Sequence, residues 1–231
     1  PRLVAVGRIL HEGGAELSGV LCHAGESYFA VGQEAQAVFA EAERAAVVNS
    51  AEALRNAGLP CPVVSVGSTP TAHAATDLNG VTEMRAGVYV FFDLVMAGIE
   101  VCRREDIALS VLTSVIGHQE KNGWVLVDAG WMAMSRDRGT AAQKVDQGYG
   151  LVCDEQGNIL RDLVMIQANQ EHGVIACRPG SNAEMPELPV GTRLRILPNH
   201  ACATAAQHQS YHVLPIGDGE ALMEWRRFGG W

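Results

Sequence analysis

Lysine is almost missing from this chain. Only Lys121 and Lys144 stand against fifteen arginines in 231 residues, so within these residues only two lysine amines are on offer for chemistry that needs one. Positive charge is short overall, and the net charge of −9 excludes a general binder of nucleic-acid backbone, which needs a Lys/Arg surplus. No apolar run reaches the roughly 18 residues of a membrane-spanning helix. No basic-then-apolar leader opens the chain, and the expected compartment is the cytoplasm. Paired cysteine motifs are absent too. Cys22, Cys61, Cys102, Cys153, Cys177 and Cys202 lie far apart, mostly in apolar stretches, which reads as reduced, buried thiols and not as a disulfide framework. What is present is 48% apolar and 19% charged sequence, enough for a globular protein with a sizeable core.

The chain changes grammar near residue 100. LVAVGRILHEGG reads as a helix stopped by Gly13 and Gly14. LSGVLCHAG follows as a short strand, and the Ala-rich segment 33–57 as a helix closed by Gly58 and Pro60. PVVSV is a second strand that opens into GSTPT, and VTEMRAGVYVFF reads as a further extended segment. Residues 1–100 thus give strand–helix–strand units of a parallel α/β sheet or barrel, too few for the roughly 250 residues of an eight-stranded barrel. From 101 to 231 the short runs IALSVLTSVIGH, GWVLVDAGW, YGLVCD, HGVIACRPG, TRLRILPNH and SYHVLPIGD alternate with turn signals such as KNG and EQGN. That pattern predicts an antiparallel β domain.

Four stretches could carry chemistry. In VSVGSTPT, Gly67, Ser68 and Thr69 follow a strand directly, so their N–H groups and hydroxyls could converge on an anion; an ordinary strand-to-loop turn has the same form. In MRAGVYVFFD, Gly87 would allow close approach of a ligand, with Arg85 and Tyr89 as polar contacts; a plain strand with one exposed Arg fits as well. In CHAGESY, His23 and Tyr28 sit where strand tips of an α/β barrel line an active site, although a histidine there is also a common structural residue. In PNHACATAAQH, His200 and Cys202 are two apart. On an extended chain both would point one way and could share a metal, and a buried thiol beside a satisfied histidine is the alternative. His208, Tyr211 and His212 follow.

Taken in order, LSGVLCHAGESY, VSVGSTPT, TEMRAGVYVFFD, ALSVLTSVIGH, VLVDAGWMAMS, LPNHACATAAQH and the terminal WRRFGGW resemble one family. It is the metal-activated, pyridoxal-phosphate-dependent D-serine dehydratases and D-threonine aldolases of the alanine-racemase fold. The resemblance implies the C-terminal part of a (β/α)8 barrel over residues 1–100, carrying the cofactor, and an antiparallel β domain over 101–231, carrying the metal. It implies that Gly67, Ser68, Thr69, Gly87, Val88 and Tyr89 hold pyridoxal phosphate, that His23, Tyr28 and Arg85 line the catalytic pocket, and that His200 and Cys202 bind zinc. The implied substrate is a small D-amino acid with a β-hydroxyl, most simply D-serine going to pyruvate and ammonia by β-elimination. The implied assembly is a homodimer with no nucleic-acid or membrane partner.

The aldolase branch typically carries Asp where Cys202 stands, which favours the dehydratase; D-threonine aldolase is the alternative. One departure matters. The family's Schiff-base lysine lies upstream of every motif quoted above, whereas Lys121 and Lys144 fall in HQEKNG and AAQKVDQG. The expectation is therefore that this chain is the C-terminal part of a longer enzyme and inactive alone, a catalytically incomplete remnant being the third reading.

Overall fold

The computed structural model describes residues 2–215 and 221–229. The chain divides into two compact units, Pro1–Val90 with Met96–Arg103, and Phe91–Val95 with Arg104–Trp231.

In the first unit, α1 (Arg2–Glu12) ends at Gly13 and Gly14, and β1 (Gly19–Leu21) follows. The long helix α2 (Gln33–Asn56) buries Gln36, Ala40, Glu43, Val47, Ala51 and Leu54, the three-and-four spacing that sets one helix face against a sheet. That face packs with Leu59, Cys61, Val64 and Val66 into an apolar cluster, where each fully buried Val or Leu contributes about 1.5–3 kcal/mol. β2 (Val63–Val66), α3 (Thr69–Ala74) and β3 (Glu83–Met84) complete the unit. The three strands are parallel in the order β1-β2-β3, with Val63 opposite Gly19 and Ser65 opposite Glu83.

The segment from Val81 to Phe92 departs from the extended reading. Only Glu83 and Met84 pair, and Val88–Val90 form a 3-10 turn instead. The cause is the neighbour: β2 gives way to the turn into α3 after Val66, so the Arg85 N–H to Val66 O bond of 2.8 Å leaves residues beyond it without a partner strand.

A short helix, α4 (Leu94–Gly98), precedes the second unit's main feature, a closed antiparallel barrel in the order β4-β5-β8-β7-β6-β9. Its strands are β4 (Val111–Gln119), β5 (Trp124–Val127), β6 (Gly150–Asp154), β7 (Ile159–Ala168), β8 (Gly173–Cys177) and β9 (Arg193–Pro198), with α5 (Trp131–Met134) between β5 and β6. Inward residues include Val115, Val127, Val152, Met165, Ile175, Leu194 and Ile196, alternating along each strand with outward ones as closure requires. β7 is absent from the sequence reading above. Arg161 and Asp162 break its alternation, Asp162 has φ 57°, and the register shifts between Met165 and Gln167; a bulged strand loses the period-two signal.

After β9 come α6 (Ala201–Ala205) and the antiparallel ribbon β10 (Ser210–Val213) with β11 (Met223–Arg226). SYHV therefore belongs to the ribbon; the end of SYHVLPIGD and the last two residues of WRRFGGW lie outside the described residues. No helix among the described residues is long and apolar enough to cross a membrane.

The alternation makes a checkable distinction. Ile196 is fully buried and Leu112, on the outward face of β4, is 56% exposed. Ile196→Ala is expected to destabilise the barrel by about 2–5 kcal/mol and Leu112→Ala by no more than about 0.5 kcal/mol, read by chemical denaturation of the two variants.

Candidate functional site

The candidate residues of the first unit meet at the C-terminal tips of its parallel strands, the edge of an α/β sheet where ligands bind. His23 lies just beyond β1, and its Nδ1 contacts the Gly67 carbonyl just beyond β2. Its ring lies 6.0 Å from that of Tyr28. Arg85, just beyond β3, donates from Nε to Ser65 Oγ at 2.8 Å and from its terminal nitrogen to the Cys22 carbonyl. One guanidinium thus ties all three strand ends together. Gly67 tolerates no side chain, since a Cβ there would lie 2.4 Å from the Arg85 carbonyl oxygen.

Ser68 caps α3, its Oγ 2.7 Å from Thr71 Oγ1 and 3.2 Å from the buried Ser27 Oγ. Thr69 Oγ1 accepts the Tyr89 N–H at 3.3 Å, which joins the two candidate loops. Beside them a Cβ on Gly87 would meet nothing within 4 Å, so the backbone there borders open space. Val88 is buried and Tyr89 is half exposed.

One side chain at this edge escaped the sequence reading. Glu43 is 5% exposed. Its Oε1 accepts the Ala24 and Gly67 N–H groups, both at 3.1 Å, and its Oε2 accepts the Thr71 hydroxyl at 2.7 Å. The Gly67 N–H therefore faces a carboxylate within the chain. Ser68 and Thr69 remain the backbone donors at the loop, because the first N–H groups of a helix lack intrahelical acceptors. A signal was there to be read: Glu43 is the one acid in the buried stripe of α2.

In the second unit, β9 delivers His200 and Cys202 by a different route from strand alternation. His200 is extended (φ −135°, ψ 101°) and stands at the N-terminus of α6, while Cys202 lies in the helix's first turn. The strand-to-helix corner is what brings the two side chains within hydrogen-bond reach. Asn199 anchors that corner. It is 2% exposed; its Nδ2 donates to the Gly148 carbonyl at 2.7 Å and the Asp137 carbonyl at 3.1 Å, and its Oδ1 accepts the Thr140 hydroxyl at 3.0 Å. Asp93 caps the start of α6 by accepting the Ala201 N–H at 2.9 Å.

His200 Nδ1 lies 2.7 Å from Asp137 Oδ2. The hydrogen bond with Cys202, and after it the one with Asp137, raise the imidazole pKa to about 9 against the opposing effect of burial. At neutral pH the ring is protonated, so a metal would displace that proton. With Nδ1 engaged, Nε2 is the nitrogen left to bind a metal, beside an exposed thiol. Imidazole and thiolate together are zinc-type donors. Among the described residues no cluster of three or more His, Cys, Asp or Glu side chains is arranged to hold a metal, so this pair would leave coordination positions open. His208 bonds to the Ala133 carbonyl at 3.0 Å and His212 is exposed on β10. Asp137 had no sequence signal, being an acid in a polar loop 63 residues from its partner. Lys121, in the turn after β4, and Lys144, in the 141–145 loop, are both exposed in the second unit and end none of the parallel strands.

Comparison with known proteins covers both units. Residues 3–95 match the family model "Alanine racemase, N-terminal domain", and residues 108–214 match "Putative serine dehydratase domain". The chain is 62% identical to the D-threo-3-hydroxyaspartate dehydratase of Delftia sp. (strain HT23) over 100% of its own length and 61% of that protein. The solved structure of that protein superposes with a TM-score of 0.89, covering 99% of this chain and 60% of the other. A cysteine-to-alanine variant of the same protein is described in a metal-free form and matches with a TM-score of 0.88 at 61% identity, over 99% of this chain and 60% of that one. The D-serine dehydratase of Dictyostelium discoideum is 29% identical over 86% of this chain and 51% of the relative. The D-threonine aldolase of Arthrobacter sp. is 28% identical over 87% and 48%. The chain thus spans about half to three fifths of the length of these relatives. By both of its matched domains, it belongs to the D-serine dehydratase-like family of the alanine-racemase fold.

Proposed function

We propose that the protein acts in the dehydration of a β-hydroxy-D-amino acid, with pyridoxal phosphate held at the strand ends of the first unit and zinc held by His200 and Cys202. The observation that carries this reading is the 62% identity to a D-threo-3-hydroxyaspartate dehydratase along the whole chain. That relative makes a 3-hydroxyaspartate the favoured substrate over D-serine, whose dehydratase is 29% identical. When bound, the cofactor supplies an electron sink that acidifies the α-proton, and the metal supplies Lewis acidity that makes the β-hydroxyl a better leaving group.

The chain's own residues have separate tasks in this reading. Ser68 and Thr69 would donate N–H groups to the cofactor phosphate, with the open backbone at Gly87 and the neighbouring Val88 helping to hold it. His23, Tyr28 and Arg85 border the ring, with Arg85 also keeping the strand tips in register through Ser65 and Cys22. Asp137 holds the His200 ring by Nδ1, which fixes the tautomer and presents Nε2, the outer carboxylate role common at histidine metal sites. Cys202, standing where the aldolase branch typically carries Asp, favours the dehydration reading over the aldolase alternative. Loss of water from a 3-hydroxyaspartate and hydrolysis of the resulting imine would give oxaloacetate and ammonia; D-serine would give pyruvate and ammonia.

Four outcomes test this. Elemental analysis of protein prepared without chelator should find one zinc per chain, with none in His200→Ala and an affinity about 10–100-fold lower in Asp137→Asn. Zinc should also shield Cys202 from alkylation, while Cys61 and Cys153 stay unreactive in either state because both are buried and burial raises the Cys153 thiol pKa to about 11. In the complete enzyme, D-threo-3-hydroxyaspartate should yield a keto acid faster than D-serine does, and retro-aldol cleavage of D-threonine should be slowest. Residues 1–231 alone should take no cofactor label on borohydride reduction, since neither Lys121 nor Lys144 ends a parallel strand; an adduct on either, found by mass spectrometry, would contradict this.

A further inference from the structure

A buried carboxylate is costly unless hydrogen bonds compensate it, and Glu43 is compensated in an informative way. Its neighbour Arg44 turns to Glu41 and Asp77, whereas Glu43 collects two backbone N–H groups and one hydroxyl from three separate pieces of chain: Ala24 after β1, Gly67 after β2 and Thr71 in α3. The acid sits on the third turn of a 24-residue helix, so a rigid element sets the position of both strand-end loops.

The hydrogen inventory extends this. Thr71 gives its hydroxyl hydrogen to Glu43 Oε2. The 2.7 Å contact between Thr71 and Ser68 must then carry the Ser68 hydrogen. Ser27 spends its own hydrogen on the Ala24 carbonyl at 2.6 Å. The Ser68 hydroxyl is thereby turned inward and cannot donate to a ligand, whereas Thr69 Oγ1 accepts from Tyr89 and its own hydrogen has no acceptor among the described residues. Glu43 decides which donors the loop presents.

We infer that Glu43 is the positioning residue of the Gly67–Thr69 loop, holding it so that the Ser68 and Thr69 N–H groups and the Thr69 hydroxyl face the phosphate of the cofactor. This rests on the reading above that the loop takes that phosphate. Glu43→Gln keeps every contact: Oε1 still accepts both N–H groups, and the amide NH2 donates to Thr71, whose hydroxyl can reverse. Glu43→Ala loses all three.

The test compares the affinity of the full chain for pyridoxal 5′-phosphate and for pyridoxal, which differ only in the phosphate, by equilibrium dialysis. The ratio of the two affinities isolates the loop from general losses of stability, which would lower both together. Glu43→Ala should lower the ratio about tenfold, the scale of losing one well-held hydrogen bond, and Glu43→Gln should restore it to within about threefold. If circular dichroism shows Glu43→Ala unfolded, Thr71→Val, which removes one of the three donors, should lower the ratio in the same direction. An unchanged or increased ratio in the folded variant would overturn the role of Glu43 while leaving the cofactor reading intact. A wild-type chain that binds both compounds equally would overturn the cofactor reading, and this inference with it.

Discussion

The Asn199 amide is the constraint on which the candidate metal centre depends. All of its hydrogen-bonding atoms are engaged inside the second unit, joining the end of β9 to the Asp137 and Gly148 carbonyls and to Thr140. Removing that side chain would strand buried partners at about 1–3 kcal/mol each. The same three bonds bring the loop that carries Asp137 against the residue that follows Asn199, which is His200. The Asp137–His200 contact of 2.7 Å is thus a consequence of the anchor, and the short helix α6 adds Cys202 from the other side of the corner. The closed barrel beneath, with Ile196 and Leu194 buried in its interior, gives this corner a rigid base.

The first unit reaches a comparable end with a charged anchor. Glu43 rises from the helix that covers the sheet and binds the loops after β1 and β2 from behind, while Arg85 binds the strand tips from the exposed side. The apolar cluster of α2 with β2 holds the helix in place, so packing energy is converted into loop geometry. Both units place their chemistry-bearing residues just past the ends of strands, supported by buried polar groups whose partners are nearly all accounted for; among the described residues only Gln143 Oε1 is a buried side-chain polar atom without one. Full satisfaction of such networks is what makes them rigid.

Much of this could be read from local pattern. The helical stripe of α2, the strands β2, β4 and β8, and the turn after Val66 follow from periodicity and Gly/Pro punctuation, and the family resemblance rested on short motifs. What was not legible has a common cause. β7 is disguised by a bulge and by Asp162 at positive φ, and the segment after Met84 turns because its neighbouring strand ends, a fact about a partner and not about its own residues. Asp137 and Asn199 act across 63 and 51 residues of chain, where no spacing rule reaches. His200 and Cys202 were expected to share a direction along an extended chain, whereas the two stand at a strand-to-helix corner, His200 extended and Cys202 in the first turn of α6. Glu43 alone was hidden in plain view, as an acid within an apolar stripe.

The central claim is that His200 and Cys202, presented by that corner, hold one metal between them. Replacing the metal with cobalt(II) tests it directly, because a thiolate ligand adds a sulfur-to-metal charge-transfer band that nitrogen and oxygen ligands do not. The account predicts that band in the cobalt protein and its loss in Cys202→Ser with the fold retained. A cobalt-loaded protein whose spectrum shows no thiolate band, or keeps it in Cys202→Ser, would contradict the account.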